Sequence, residues 1–150
     1  MQTSESNNLP LIYLLNTYAR ASRSKIEFPS LGNSYTLTEI QLMRWIKLRP
    51  GSSIKQLCDL LGLSKSSISP LVSRFQVEGI VRKDKQPGNL KELAIYLTEK
   101  GETQFTVILK KMKPLFGSIL SRHNKIPMEY WLEFGKILNI ITKSLEDLTS

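Results

Sequence analysis

The sequence has little of what covalent or metal-centred chemistry requires. Its 150 residues include one cysteine, Cys58, and one histidine, His123. A single cysteine excludes an internal disulfide framework and fits a reducing cytoplasm. A histidine with no second histidine or cysteine nearby argues against a site built from imidazole and thiolate ligands. We therefore expect no metal and no cofactor.

Long apolar runs and catalytic motifs are also missing. No run of 18 apolar residues exists, so the sequence predicts no membrane span. The apolar patch Leu9–Leu15 follows no lysine or arginine, which argues against a secretory signal. There is no P-loop, no paired histidine and cysteine and no nucleophile elbow, so we expect no enzyme.

Acidic residues are the third shortage. Lysine and arginine number 21 against 13 aspartates and glutamates, which gives a net charge of +8 and a pI near 9.7. This balance favours a polyanionic partner, either nucleic acid or an anionic membrane surface. Residues 38–98 hold ten of the cations and five of the anions, a net +5, so most of the excess lies in one segment. The 41% apolar content predicts a packed core, and the length predicts one domain over residues 1–150.

The stretch from Ser64 to Glu78 carries the most informative pattern. Four apolar residues recur at helical spacing and share one face of a predicted helix: Ile68, Leu71, Val72 and Phe75. The opposite face is small, hydroxyl-rich and cationic, and consists of Lys65, Ser66, Ser67, Ser69, Pro70, Ser73 and Arg74. Such a face suits a helix that lies in a DNA groove, whereas the alternative is an ordinary solvated helix.

A second short helix directly precedes this one. Ser53–Gln56 has the spacing of a capping box, and Gly62 ends the helix one residue before Leu63 and the Ser64 cap. Two short amphipathic helices joined by a tight glycine-containing turn are typical of a helix-turn-helix, here predicted over about 53–78. The second helix then presents its N-terminal turns to the major groove.

The segment of about 80–98 predicts a β-hairpin wing. Ile80–Asp84 has the pattern of a strand, and Lys85–Asn89 has turn chemistry. Leu93, Ile95 and Leu97 alternate with Ala94 and Tyr96, as in a half-buried strand.

Helices are predicted on both sides of this module, over about 9–25, 99–123 and 127–148. Residues 28–35 have loop composition, and a capping box at Thr38–Gln41 opens a further helix. Pro114 should kink the long helix near Lys110 or Lys111. The last helix has a heptad-like seam of Trp131, Phe134, Leu138, Ile141, Leu145 and Leu148. Its acidic residues disfavour an anionic membrane, so a partner helix is favoured.

Four motifs resemble the MarR (multiple-antibiotic-resistance regulator) family of winged-helix transcription factors. They are Leu37–Gln41, Leu57–Ser69, Glu78–Val81 and Leu97–Gly101. The resemblance implies a mainly α fold with a winged helix-turn-helix and a β-hairpin wing, flanked by N- and C-terminal dimerisation helices. It also implies a homodimer that binds double-stranded DNA, often relieved by a small-molecule effector.

The chain departs from the family at two positions. Family members usually carry Asp-Arg-Arg at the wing, where this chain has Asn89-Leu90-Lys91. Pro70 stands where members often have a polar or basic residue, and it removes a helical N–H. An atypical wing also supports a rival hypothesis, a winged-helix protein-interaction module such as an antirepressor or adaptor.

These observations assign contacts residue by residue. Base edges are expected to meet Ser66, Ser67, Ser69, Pro70 and Ser73. Phosphates are expected to meet Lys65, Arg74 and the Ser64 backbone, while the wing contributes Lys83, Lys85, Asn89 and Lys91. The predicted function is sequence-specific DNA binding by a transcriptional regulator, a dimeric repressor relieved by a small ligand.

Two further sets of side chains leave alternatives open. Cys58 lies on the inner face of its helix and is predicted to pack in the core, although a redox sensor is the alternative. Six aromatic side chains could line a ligand pocket or simply fill the core and interface: Tyr13, Tyr18, Trp45, Phe105, Phe116 and Trp131.

Overall fold

The computed structural model describes residues 9–86, 88–123 and 125–149, and within these ranges the fold is mainly helical with small hairpins. The predicted fold class is confirmed. In chain order the elements are α1 (Leu9–Arg23), β1 (Ile26–Phe28), a 3-10 turn (Pro29–Leu31), β2 (Asn33–Tyr35), α2 (Leu37–Leu48), α3 (Ile54–Leu61), α4 (Lys65–Val77), β3 (Val81–Gln86), β4 (Asn89–Leu97), α5 (Glu99–His123) and α6 (Met128–Thr149).

The segment predicted as a loop over residues 28–35 is instead part of a short antiparallel hairpin. Ile26 pairs with Tyr35 and Phe28 pairs with Asn33, while Gly32 closes the intervening turn at φ +60°. Phe28 and Tyr35 are 1% and 0% exposed. The loop prediction weighed the turn-forming residues and missed the two buried aromatic side chains that anchor the strands to the core.

The start of α2 also corrects a prediction. The N-cap is Thr36, whose hydroxyl accepts from the Glu39 N–H at 3.2 Å, while the Glu39 carboxylate accepts from the Thr36 N–H at 2.7 Å. The predicted box at Thr38 and Gln41 has the same spacing. A carboxylate is favoured over an amide near the positive end of a helix dipole, and Glu39 supplies that charge.

The helix-turn-helix forms as predicted. Ser53 and Gln56 make both hydrogen bonds of the capping box, at 2.9 and 3.2 Å, and Gly62 ends α3 in the left-handed conformation at φ +63°. The α4 helix then turns three apolar side chains into the core, because Ile68, Val72 and Phe75 are fully buried. The opposite face of α4 is left towards solvent.

The wing is an antiparallel pair of β3 and β4 whose register runs from Val81 opposite Leu97 to Lys85 opposite Leu93. The register then shifts, so that Gln86 faces Asn89, and β4 is longer than the predicted strand. Ala94 and Ile95 are both buried, whereas Leu93 is 45% exposed. The predicted alternation is therefore wrong at Leu93 and Ala94, where the hairpin becomes irregular.

The chain divides into two compact units, one ending at Leu109 and one beginning at Lys110. The division falls inside α5, at the residue whose carbonyl Pro114 leaves without its helical N–H donor. In the second unit, α6 exposes large apolar side chains that include Leu132, Ile137, Ile140 and Leu148. Within the described ranges, no helix is both long and apolar enough to cross a bilayer.

Candidate nucleic-acid interface

The N-terminal half of α4 presents small polar side chains to solvent. Lys65, Ser66, Ser67 and Pro70 are all exposed, and Ser73 is exposed one turn further on. Ser64 holds the N-cap position, but its hydroxyl accepts no hydrogen bond from a backbone N–H. It lies instead 2.9 Å from the Ser66 hydroxyl and 3.0 Å from the Ser67 hydroxyl. The helix N-terminus thus lacks a side-chain cap and can accept an anion there.

Ser69 and Pro70 sit in the middle of this face in different environments. The Ser69 residue is partly buried, and its hydroxyl oxygen is inaccessible and has no hydrogen-bond partner. The structure thus turns this predicted base contact inward. Pro70 is exposed, and α4 continues through it as one helix. Its ring removes the N–H that would otherwise donate to the Ser66 carbonyl.

Arg74 differs from the other predicted contacts because carboxylates already bind it. Its Nη1 lies 2.7 Å from Oε1 of Glu39, and its Nε lies 3.2 Å from Oε1 of Glu78. Its guanidinium also lies 5.3 Å from the centre of the Phe75 ring. The phosphate role of Arg74 stays a prediction. Sequence reasoning missed Glu39 here, although its spacing from Thr36 was an available signal.

The wing holds the remaining predicted cations. Lys83 is partly buried in the hairpin, and Lys85 and Lys91 are exposed. The side chain of Asn89 lies outside the described part of the structure. Arg82, which the prediction omitted, forms an ion pair with Asp84 and stacks 4.4 Å from the centre of the Tyr96 ring. Its cation thus has partners within the wing itself.

An open concavity brings the predicted helix and wing cations together. It measures about 530 Å³ and lies between α3, the start of α4 and β4. Its lining includes Lys55, Lys65 and Lys91. Cys58 also lines it and is partly exposed, so the prediction of a core thiol is wrong. The helical spacing placed Cys58 beside Leu57, which is fully buried, but Cys58 lies at the border of that face.

The six aromatic side chains considered for a ligand pocket have different environments. Phe105 is buried, Trp45 is partly buried, and Tyr13 and Tyr18 are exposed. The side chains of Phe116 and Trp131 lie outside the described part. Among described residues there is no group of three or more histidine, cysteine, aspartate or glutamate side chains able to hold a metal ion.

Tyr35 links the first hairpin to α4 and α5. Its hydroxyl accepts from the Asn33 amide and donates to the Gln104 side chain, both at 3.0 Å. Its ring meets the Phe75 ring edge-on at 6.2 Å between centres. Burial, and then the nearby Glu78 carboxylate, raise the pKa of Tyr35 above its ordinary value of 10.0.

The sequence profile of the MarR family matches residues 34–89. Curated proteins gave no match. Solved structures similar to this chain include the zinc-responsive MarR family member ZitR of Lactococcus lactis in complex with DNA. That likeness has a TM-score of 0.65 and 12% identity, and it covers 97% of this chain and 99% of the other.

The transcriptional regulator SlyA is similar at a TM-score of 0.61 and 19% identity, over 97% of this chain and 96% of the other. At these identities, structural likeness speaks for the fold. The profile match covers the segment from β2 to the start of β4 and includes the whole helix-turn-helix. Residues 34–89 therefore match the MarR family in sequence, and the chain has the winged-helix fold seen in MarR-family transcription regulators.

Proposed function

We propose that this protein is a sequence-specific DNA-binding transcription regulator. The observation that carries the proposal is the division of α4 into two faces. Ile68, Val72 and Phe75 are fully buried, whereas Lys65, Ser66 and other small polar residues are exposed. A helix anchored in this way can enter a major groove while the rest of the module braces it. Likeness to ZitR, whose structure is known in complex with DNA, supports the same interpretation.

We assign the exposed α4 residues Ser66, Ser67, Pro70 and Ser73 to base edges. Ser69 lies among them, but its hydroxyl is turned inward and is left out of the base contacts. Phosphates would meet Lys65, the uncapped start of α4 at Ser64, and the wing through Lys83, Lys85, Asn89 and Lys91. Small hydroxyls can donate and accept at base edges, and lysines neutralise phosphates without reading sequence.

The regulator is proposed to act as a cytoplasmic homodimer that represses by occupying a promoter, relieved by a small ligand as the family resemblance implies. Exposed apolar side chains on α6 support self-association, since an isolated helix gains little by exposing them. Two copies of α4 would then address half-sites roughly 34–36 Å apart.

A second candidate function is a protein-interaction module that does not read DNA. The sequence at the wing favours it, because Asn89-Leu90-Lys91 lacks the arginine that family members place there. Such a module would still bind DNA weakly through its net charge of +8.

Duplex binding at increasing salt separates the two candidates. Rounds of selection from random-sequence DNA supply the test duplex, and an unselected duplex of equal length is the control. A regulator should bind the selected duplex at least about 10³-fold more tightly than the unselected duplex near physiological salt. Equal affinity for both duplexes, lost as salt rises, would support the interaction module.

A further inference from the structure

We infer that Glu39 is a positioning residue for α4, and that Arg74 holds the helix to the protein rather than to DNA phosphate. The inference rests on the proposed function, because it concerns how α4 is oriented when it meets DNA. Its starting point is that one buried carboxylate serves two helices. Glu39 closes the capping box of α2 through Thr36 and also binds Arg74 on α4.

The burial of Glu39 makes this contact hard to give up. The residue is 3% exposed, and its two oxygens are used separately: Oε2 accepts from the Thr36 N–H at 2.7 Å, and Oε1 lies 2.7 Å from Arg74 Nη1. A buried carboxylate is tolerated when it is paired and hydrogen-bonded. If Arg74 swung out to a phosphate, it would leave an unpaired charge inside the protein.

The electrostatic balance also argues against a phosphate contact. Arg74 lies between Glu39 and Glu78, so these three side chains together carry a net charge of −1. Such a group does not attract a phosphate. Within α4 the cation available to the duplex is Lys65, which is exposed at the other end of the helix.

The position of the ion pair explains what it controls. Arg74 lies four residues after Pro70 and seven after Ser67, so by helical spacing these residues share one side of α4. The apolar contacts of Ile68, Val72 and Phe75 hold the helix in the core, but the hydrophobic effect has no direction. A short ion pair does have direction. The ion pair therefore fixes the rotation of α4 about its axis, and with it which side chains meet the bases.

A second contact strengthens the same joint. Tyr35 directly precedes the Thr36 cap, and Phe75 directly follows Arg74. The two rings pack edge-on. The end of the hairpin and the start of α2 thus contact two successive residues of α4. Tyr35 packs against Phe75, and Glu39 pairs with Arg74.

The experiment compares Glu39→Gln, Arg74→Met and the double variant with wild type. Glutamine keeps an acceptor for the Thr36 N–H and removes the charge that Arg74 needs. Glu102→Gln is the matched control, because Glu102 belongs to an exposed pair with Lys47 in the same unit. Lys65→Met is the reference for losing a phosphate contact. Each variant is measured at a temperature where circular dichroism shows it folded.

Affinity is measured for a duplex selected from random-sequence DNA with the wild-type protein, and for an unselected duplex, across a range of salt. We expect Glu39→Gln and Arg74→Met each to lower the affinity for the selected duplex on the order of tenfold. The double variant should bind no more weakly than either single variant. Affinity for the unselected duplex and the salt slope should not change, since the phosphate contacts remain. Lys65→Met should lower both affinities and flatten the slope.

Several outcomes would overturn the inference. Arg74→Met flattening the salt slope as Lys65→Met does would make Arg74 a phosphate contact. If Glu39→Gln distinguished the selected from the unselected duplex as well as wild type does, the Glu39 carboxylate would have no role in positioning α4. If Arg74→Met fails to fold, Arg74→Lys keeps the charge but not the planar fork, and full specificity in that variant would also count against the inference.

Failure of the proposed function has a different signature. If wild-type protein cannot distinguish the selected from the unselected duplex, both the proposed regulator function and the positioning role of Glu39 are contradicted. Specific binding by wild type that Glu39→Gln leaves intact would remove only the positioning role.

Discussion

Close approaches of single residues set how the helix-turn-helix meets α5. The Thr98 hydroxyl donates to the Gly79 carbonyl at 2.5 Å and accepts from the Gly101 N–H at 3.0 Å. The Thr98 N–H donates to the Ile80 carbonyl at 3.0 Å. The turn after α4 is thereby fastened to the first turn of α5, and Gly101 lies against it with no side chain between.

Gly101→Ala should destabilise the protein strongly. A Cβ at this position would lie 2.1 Å from the Ile80 carbonyl oxygen, so backbone would have to move. We expect the free energy of unfolding to fall by about 2–3 kcal/mol in urea denaturation. Gly117→Ala in the same helix is the control, since among the described residues nothing beyond the adjacent backbone of α5 lies within 4 Å of its added Cβ. This variant should raise the free energy of unfolding by about 0.5–1 kcal/mol. Equal effects of the two variants would contradict the close approach.

Tyr35→Phe should change the response of stability to alkaline pH. The folded state holds the phenol proton to higher pH than the unfolded chain, because burial raises the pKa of Tyr35. This contribution is complete below pH 10 and is lost as pH rises from the unfolded pKa through the raised folded pKa. Near neutral pH the free energy of unfolding of the variant should be about 1–2 kcal/mol lower than that of wild type, because the hydrogen bonds of the phenol are missing.

The measurement is the free energy of unfolding of wild type and variant from pH 8 to 11. The difference between the two should shrink above pH 10. A constant difference across that range would show that the Tyr35 phenol titrates alike in both states.

At the scale of elements, α4 is held to the core by buried apolar side chains although Pro70 in its interior disfavours a helix. Its buried apolar residues and the pair of Arg74 with Glu39 compensate for a proline in its interior. The wing shows a similar combination, because regular pairing of β3 and β4 gives way to a register shift after Lys85. Both irregularities lie in the elements proposed to approach DNA.

Pro70→Ala tests whether the proline serves recognition. Restoring the N–H towards Ser66 should raise the free energy of unfolding, by up to about 3 kcal/mol if the helix is otherwise ideal. We also expect altered preference among selected duplexes, because an exposed Pro70 ring is proposed to contact a base edge such as a thymine methyl. Competition among duplexes measures this preference, and an unchanged ranking would refute the contact.

At the scale of the whole molecule, the proposed homodimer would form through the second unit, and it would bring two copies of α4 to one duplex. The large apolar side chains on α6 have partners to gain from a second copy of the chain. A homodimer would double the duplex contacts and set a fixed spacing between half-sites.

Ile137→Glu should therefore shift the protein towards monomer, because Ile137 is 43% exposed on the apolar side of α6 and a buried charge opposes association. Asn139→Glu adds the same charge on the opposite side of the helix and is the matched control. Sedimentation velocity over a dilution series measures the effect. Identical profiles for both variants and wild type would contradict a dimer through this face.

Sequence patterns by themselves determined the helix-turn-helix, since its capping box, Gly62 stop and helical spacing are local properties of the chain. They also indicated which face of α4 is apolar, as the burial of Phe75 confirms. Only the tertiary structure decided that Thr36 caps α2, that residues 26–35 form a hairpin and that Arg74 binds Glu39. The hairpin and the ion pair depend on contacts between residues far apart in the chain, Tyr35 with Phe75 and Arg74 with Glu39. Local spacing is equally satisfied by Thr36 and Thr38, and it places Arg74 on a side of α4 without choosing its partner.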